Sequence, residues 1–466
     1  MRRISGLLVI ICLWWTNYVQ AQDLDEIFNS FVQQNQQSFN SFTDSINRQF
    51  ASAMEANMKT FAAEQPQVRD PKPKPHKLPE IKKDNVPDLP RVVPQQSIID
   101  NSHDSIPTEQ DNKLGFNLFG ENVLLAKKPF PETLTAVSAE AVSDFWIQLS
   151  ECDYKEMLQC CQIARQQQAF NDWAVYQLVL RLAQKTYSQQ YNEQVVMTVF
   201  LLNQLGMEAK VGFGETHLFC LVAVEQKLYG IPFSVIDGKR YYILEFDPNF
   251  KPANTYLSFK TYDIPFPEST HSLDMNIRQP LKSHSSYSVT DKKTDFVNMS
   301  MIELFKTYPQ VAIDVYANAT PSEEFVLLVN NTIRPRLKGL SAYDAVSYIL
   351  SYLQYSFDYA NDEEQFGFEK PFFCEENYYY AHNDCEDRSI LFSFLVRKLL
   401  NLDVVFIDYS GHLATAVHFP TEVAGEYVEY QGKKYVICDP SYIGASIGME
   451  MPDHAPSERS VIPIGH

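Results

Sequence analysis

The sequence predicts an α+β fold of two tandem modules preceded by an N-terminal helix and a Pro-rich linker, on three observations. Helical and strand periodicities alternate in the same order twice, once between residues 173 and 247 and again between 341 and 439. Gly432-Lys433-Lys434-Tyr435, ending in Cys438-Asp439-Pro440, mirrors Gly238-Lys239-Arg240-Tyr241, ending in Phe246-Asp247-Pro248. An ungapped offset of 195 sets His217 on His412 and Leu205 on Leu400.

The elements follow in order. In the first module Trp173–Ala183 and Val195–Leu205 read as helices, and Ala209–Phe213, His217–Val224 and Arg240–Asp247 as strands. In the second, Ser341 to Tyr355 has helical spacing. A further helix starts near Cys385 and runs through Ile390, Leu391, Phe394, Leu395 and Leu399. Strands Asp403–Ile407, His412–Phe419 and Lys434–Asp439 follow. Ahead of both modules, Phe28, Phe39, Phe50 and Phe61 recur every eleven residues, with Phe31, Phe42 and Ile46 on the same helical face. Two readings stand: an amphipathic helix docked on its own body, or a stalk for homo-oligomerisation through residues 22–64. Eight prolines between Pro66 and Pro94, mixed with Lys, Asp and Arg, make an extended linker that cannot form a core. The expected division is 1–21 leader, 22–64 helical repeat, 65–109 linker, 110–262 first module and 263–466 second module.

The chain has 466 residues, room for about two to three domains. Its net charge of −19, with no basic patch beyond one short Pro/Lys tract, argues against a nucleic-acid ligand. Arg2 and Arg3, the apolar run Leu7 to Trp15, and Val19-Gln20-Ala21 read as a signal peptide cleaved before Gln22. No later stretch is apolar enough to span a bilayer, so an exported protein, periplasmic or extracellular, is expected. Seven cysteines remain after cleavage, an odd count that leaves at least one free thiol, with Cys385 its candidate owner.

Cys385 sits in the first turn of the expected helix, where partial positive charge favours a thiolate. His412 opens one strand and Asp439 closes the next. A thiol needs a base, and the base needs an orienting carboxylate. The stretches Asp384-Cys385-Glu386-Asp387-Arg388-Ser389, Gly411-His412-Leu413-Ala414-Thr415-Ala416-Val417 and Val436-Ile437-Cys438-Asp439-Pro440-Ser441-Tyr442 resemble the transglutaminase-like core. The Asp-Cys-Glu-Asp run is most similar to that of bacterial transglutaminase-like cysteine peptidases. Over residues 340–445 the resemblance implies a papain-like α+β arrangement with Cys385 as nucleophile, His412 as general base and Asp439 as its orienter.

The resemblance departs in one place. Animal-type members carry an aromatic soon after the histidine, where this chain reads Leu-Ala-Thr, so hydrolysis by a peptidase or amidase ranks above protein crosslinking. A non-catalytic envelope binding or assembly protein retaining the fold is the rival. His418 and His382 compete with His412 as base, and Asn383 and Gln365 are oxyanion candidates by position. Asp384, Glu386 and Asp387 oppose a thiolate by like charge. Some peptidases that this motif resembles bind calcium near such a stretch, which would make Asp384 and Glu386 the calcium ligands; the simpler reading is that acidic residues suit a first helical turn without metal. No cofactor is otherwise required. The first module has no cysteine at the matching position, Gln190, so it is expected to be degenerate. The expected partner is a protein or peptide substrate.

Overall fold

The computed structural model describes residues 45–68, 113–244, 258–288, 296–409, 411–452 and 459–465. The leader, Phe28, Phe31, Phe39, Phe42, most of the linker and Asp247 lie outside them. Helices and strands are both abundant, as an α+β chain requires.

Helix α1 covers residues 45–56 and strand β1 follows at Met58–Ala62. Strands β2 (Lys113–Leu118) and β3 (Glu121–Ala126) make a separate hairpin. Four helices come next: α2 (Ala139–Glu151), α3 (Lys155–Gln168), α4 (Asp172–Tyr187) and α5 (Tyr191–Gln204). Asn171 caps α4 by accepting from the Ala174 N–H. Strands β4 (Ala209–Phe213), β5 (Leu218–Ala223), β6 (Phe233–Ile236), β7 (Lys239–Leu244) and β8 (Ser258–Tyr262) complete the first unit. Its antiparallel sheet runs β1-β8-β4-β5-β7-β6.

The second unit starts with β9 (Ser286–Ser288), β10 (Phe296–Asn298), α6 (Met299–Lys306), α7 (Ile313–Asn318), α8 (Glu323–Thr332) and α9 (Arg334–Leu337). Then come α10 (Ala342–Ser356), β11 (Asp358–Tyr359), α11 (Asp362–Gln365), α12 (Glu376–Tyr379), β12 (His382–Asn383) and α13 (Cys385–Leu400). Strands β13 (Val404–Tyr409), β14 (His412–Val417), β15 (Tyr427–Tyr430), β16 (Lys433–Cys438) and β17 (Ser460–Pro463) form a sheet in the order β15-β16-β14-β13-β17.

The two sheets repeat each other in order and in register. The path β4-β5-β7-β6 matches β13-β14-β16-β15. Ala209 faces Val222 and Phe213 faces Leu218; Val404 faces Val417, in the register that the 195-residue offset demands. Phe233 faces Tyr242 as Tyr427 faces Val436. Asp237-Gly238 and Gln431-Gly432 turn both hairpins with positive φ at both residues, 51° and 77° in one and 50° and 74° in the other. That is the two-residue turn whose twist matches the strands it joins. One sequence correspondence shifts: Cys220 faces Leu244 as Thr415 faces Cys438, so Asp439 corresponds to position 245 rather than to Asp247.

Helices α5 and α13 are each buried on nearly every face, α13 continuously from Cys385 to Val396. Beyond the charged head of α13 the bodies of both helices are largely apolar, and such helices belong inside. Each lies on its own sheet, and one continuous apolar core links the helical layers of both units. Smaller clusters cover the far faces, with Phe219, Leu221 and Phe259 on the first sheet and Val405, Ile407 and Ala414 on the second.

The expectation of one helix over residues 22–64 is corrected where it can be seen. The helix ends by residue 56, and Phe61 lies on β1, which pairs with β8. Asn47, Phe50, Ala51 and Met54 face the body, while Ile46 is exposed. Phe50 packs against Trp146 at 5.0 Å and Tyr262 at 5.5 Å between ring centres, and Asn47 accepts hydrogen bonds from Trp146 and Gln204. Within the described residues the segment is therefore docked on its own body, and Phe50 and Phe61 are spent on intramolecular packing rather than on a stalk. No helix among the described residues is long and apolar enough to cross a membrane.

Candidate functional site

Three segments converge at one end of the second sheet: the head of α13, the start of β14 and the exit of β16. Cys385 is the first residue of α13, behind a capping box in which the Asp384 N–H donates to Asp387 Oδ2 at 3.1 Å. Gly411, with φ of 81°, turns the chain into β14, so His412 opens the strand. Ser389 Oγ, one turn into α13, donates to the Leu413 carbonyl at 2.9 Å and ties helix to strand.

His412 and Asp439 are brought together. His412 Nε2 lies 2.9 Å from Asp439 Oδ2, with both side chains buried. The other carboxylate oxygen of Asp439 accepts from Ser441 N–H (2.9 Å), Ser441 Oγ (2.7 Å) and Tyr442 N–H (3.1 Å). Burial alone would raise the Asp439 carboxyl; the His412 charge and hydrogen bond, with the Ser441 donors, bring it below the ordinary value. Burial likewise pulls His412 down, but the Asp439 charge and hydrogen bond, with the Glu386 charge behind them, leave it raised.

Gln354, buried on α10, holds the loop that carries Asp439. Its amide donates to the carbonyls of Asp439 (3.3 Å), Tyr442 (2.9 Å) and Ala445 (3.1 Å) and accepts from Gly444 N–H at 3.2 Å. Sequence reasoning passed over Gln354; the signal was a carboxamide on the apolar face of an otherwise amphipathic helix.

Cys385 is paired differently from the expectation. Its thiol donates to Glu386 Oε2 at 2.8 Å. Burial, then the charges of Glu386 and Asp384, raise the thiol well above its usual value, against a hydrogen bond from the Leu413 backbone. Burial first, and the acidic neighbours after it, therefore oppose the thiolate that a helix terminus would favour. Side-chain alternation along β14 turns Leu413 toward α13 and sets His412 on the side of Ala414, where its ring stacks on Tyr409 at 5.9 Å. The odd cysteine count does not single out Cys385 either, since all seven described cysteines are free thiols.

The other candidates are engaged elsewhere. His418 Nδ1 meets the Lys434 carbonyl at 2.9 Å. His382 is held by Gln365, whose amide bonds its backbone on both sides. Asn383 donates to Asn377 and accepts from Arg388 Nε at 2.8 Å, deep in the core. Asn383 and Gln365 therefore hold loops. In the first unit Gln190 caps α5 and Tyr191 is its first residue, and His217 directly precedes β5.

The head of α13 is crowded with buried carboxyl groups. Asp362, Asp384 and Asp387 are all raised, by burial first and then by a neighbouring charge: that of Asp387 on Asp362, of Glu386 on Asp384 and of Asp384 on Asp387. The local counter-charge is Arg388, fully buried, donating to Asn383 and to the Phe357 carbonyl at 3.0 Å and lying over the Tyr359 ring. Two oxygens, Asp362 Oδ1 and Asp384 Oδ1, are buried with no hydrogen-bond partner among the described residues. The ligand atoms of Asp362, Glu369 and Asp384 lie within 4.8 Å of one another, as do those of Asp384, Cys385 and Glu386. The first group is all oxygen and fits a hard divalent cation; the second includes a thiol and fits calcium poorly. Of the two expected ligands, Asp384 belongs to the oxygen group, whereas Glu386 is engaged by the thiol.

No family model matches the chain, and no curated protein or solved structure is similar to it.

Proposed function

We propose that the chain is an exported cysteine-nucleophile hydrolase, a peptidase or amidase of transglutaminase-like type, in which the second of two duplicated modules carries the site. The matching strand order and register support duplication. The observation that carries the function is the buried His412–Asp439 pair, seated at strand ends beside the head of the Cys385 helix. With Nε2 engaged by Asp439, proton exchange falls to His412 Nδ1. For the reaction the Cys385 thiol must leave Glu386 and come within reach of His412; it then gives its proton to that nitrogen and its sulfur attacks a substrate amide carbonyl. The C–N bond breaks, the amine leaves with the proton from His412, and a thioester remains. Water, losing a proton to His412, releases the acid and restores the thiol. Asp439 stays charged throughout and fixes the ring. Calcium, held by Asp362, Glu369 and Asp384, would offset the negative charge that keeps the thiol protonated.

A second reading has its own support: a thiol that donates to Glu386 and is held protonated suits a binding protein that keeps the fold without the reaction. Alkylation decides between them. Iodoacetamide labelling of Cys385 in the full chain near neutral pH, with calcium added and chelated, is read by mass. The hydrolase reading expects labelling faster than in the denatured chain and strongly slowed by His412→Ala. Labelling no faster than in the denatured chain under both conditions sinks it and leaves the binding reading.

A further inference from the structure

A cavity adjoins the head of α5 in the first unit, with Gln190 in its wall. It has a volume of about 420 Å³ and lies between the β2–β3 hairpin, the end of α4 and Gln190 at the cap of α5. Its wall carries Lys113, Lys127, Lys128 and Lys185 against a single carboxylate, Glu132. Lys128 pairs with Asp153 at 3.0 Å, while no carboxylate among the described residues pairs with the other three. Four lysines around one cavity stand out in a chain of net charge −19. Leu114, Phe130 and Met157 add apolar wall.

Tyr187, only 4% exposed, also lines the cavity beside Lys185.

We infer that this cavity is a binding site for an organic anion that carries two or more carboxylates on a partly apolar frame, as acidic side chains of a peptide or a free dicarboxylate do. The lysines supply the charge attraction, and the apolar wall excludes a bare inorganic ion as the intended ligand. The inference does not depend on any chemistry at Cys385.

Calorimetric titration of the full chain at low ionic strength tests it, with a tetraglutamate peptide, glutarate and inorganic phosphate as probes. The peptide is expected to bind, and Lys127→Gln/Lys185→Gln to weaken it by about tenfold or more. Lys127 is exposed and Lys185 half-buried, so the variant should fold, which its unfolding midpoint checks. Glutarate binding as tightly as the peptide supports the site and assigns it to a free dicarboxylate. Phosphate binding equally well, no binding at all, or binding unaffected by the lysine changes would each overturn the proposal.

Discussion

The heads of α5 and α13 occupy matching places on two sheets of the same strand order, and their surroundings differ in charge. The head of α13 is closed, with Cys385 among buried acidic side chains and one buried arginine. The head of α5 is open, with Gln190 and Tyr191 where the other has Asp384 and Cys385, and lysines around a cavity. The hydrogen-bonded ladders are the part held constant. Backbone pairing tolerates almost any side chain on a strand or a helix cap, whereas a thiol beside an acid–base pair tolerates very few. A scaffold can therefore keep its register while the chemistry at one end diverges.

The sharpest way to break the comparison is to remove the two histidines in turn. His412→Ala should lower any amide hydrolysis by about 10³- to 10⁴-fold, and His217→Ala should leave it unchanged, measured as turnover on a fluorogenic peptide. Equal losses would mean that the first unit shares the reaction. Next in size, Asp439→Ala strands a buried imidazole and three donors and should cost about 3–5 kcal/mol in urea unfolding. The pair also sets a pH window. His412 is raised above its ordinary 6.5, so its contribution is full below that pH and lost as pH rises through the raised value. Asp439 is lowered below its ordinary 3.8, so its contribution is present above that pH and lost as pH falls through the lowered value. The stability difference between wild type and Asp439→Ala should thus be largest between pH 3.8 and 6.5.

A smaller effect separates the two heads by metal. Calcium at about a hundred times its dissociation constant should stabilise the wild type by about 2.7 kcal/mol in thermal unfolding, and Asp362→Asn/Asp384→Asn should abolish the shift. Phe50→Ala should cost about 2 kcal/mol by opening the contact of α1 with Trp146, and Ile46→Ser, on the exposed side, less than about 0.5 kcal/mol. A reversal of those two would mean that the wrong face of α1 has been assigned to the body.

Much of the two sheets was legible because their strands are short apolar runs bounded by glycine turns, a pattern that survives without tertiary information. His412 and Asp439 were legible for the same reason, since each marks a strand end. The pairing of the Cys385 thiol was not. It depends on how deeply Asp384 and Glu386 are buried, and acidic residues in a first helical turn read equally well as solvent-facing. Asp362 and Glu369 escaped notice because they come from the chain before α13 and meet Asp384 only in the folded state. Strand β1 was hidden by Phe61, whose eleven-residue spacing from Phe50 continues a helical pattern that the backbone abandons after residue 56. Pairing with β8 won over local periodicity, as tertiary context often does over propensity.

That pairing bears on how the protein assembles in time. Lys59 and Asp263, joined across β1 and the end of β8, are 204 residues apart in sequence. During synthesis β1 emerges long before its partner, and an unpaired strand edge is a template for pairing with the wrong chain. Contacts that close so large a loop also slow folding. The edge of the first sheet should therefore be the last part of that unit to gain protection from hydrogen exchange during refolding, and the stage at which it waits for β8 should be the one most prone to aggregation.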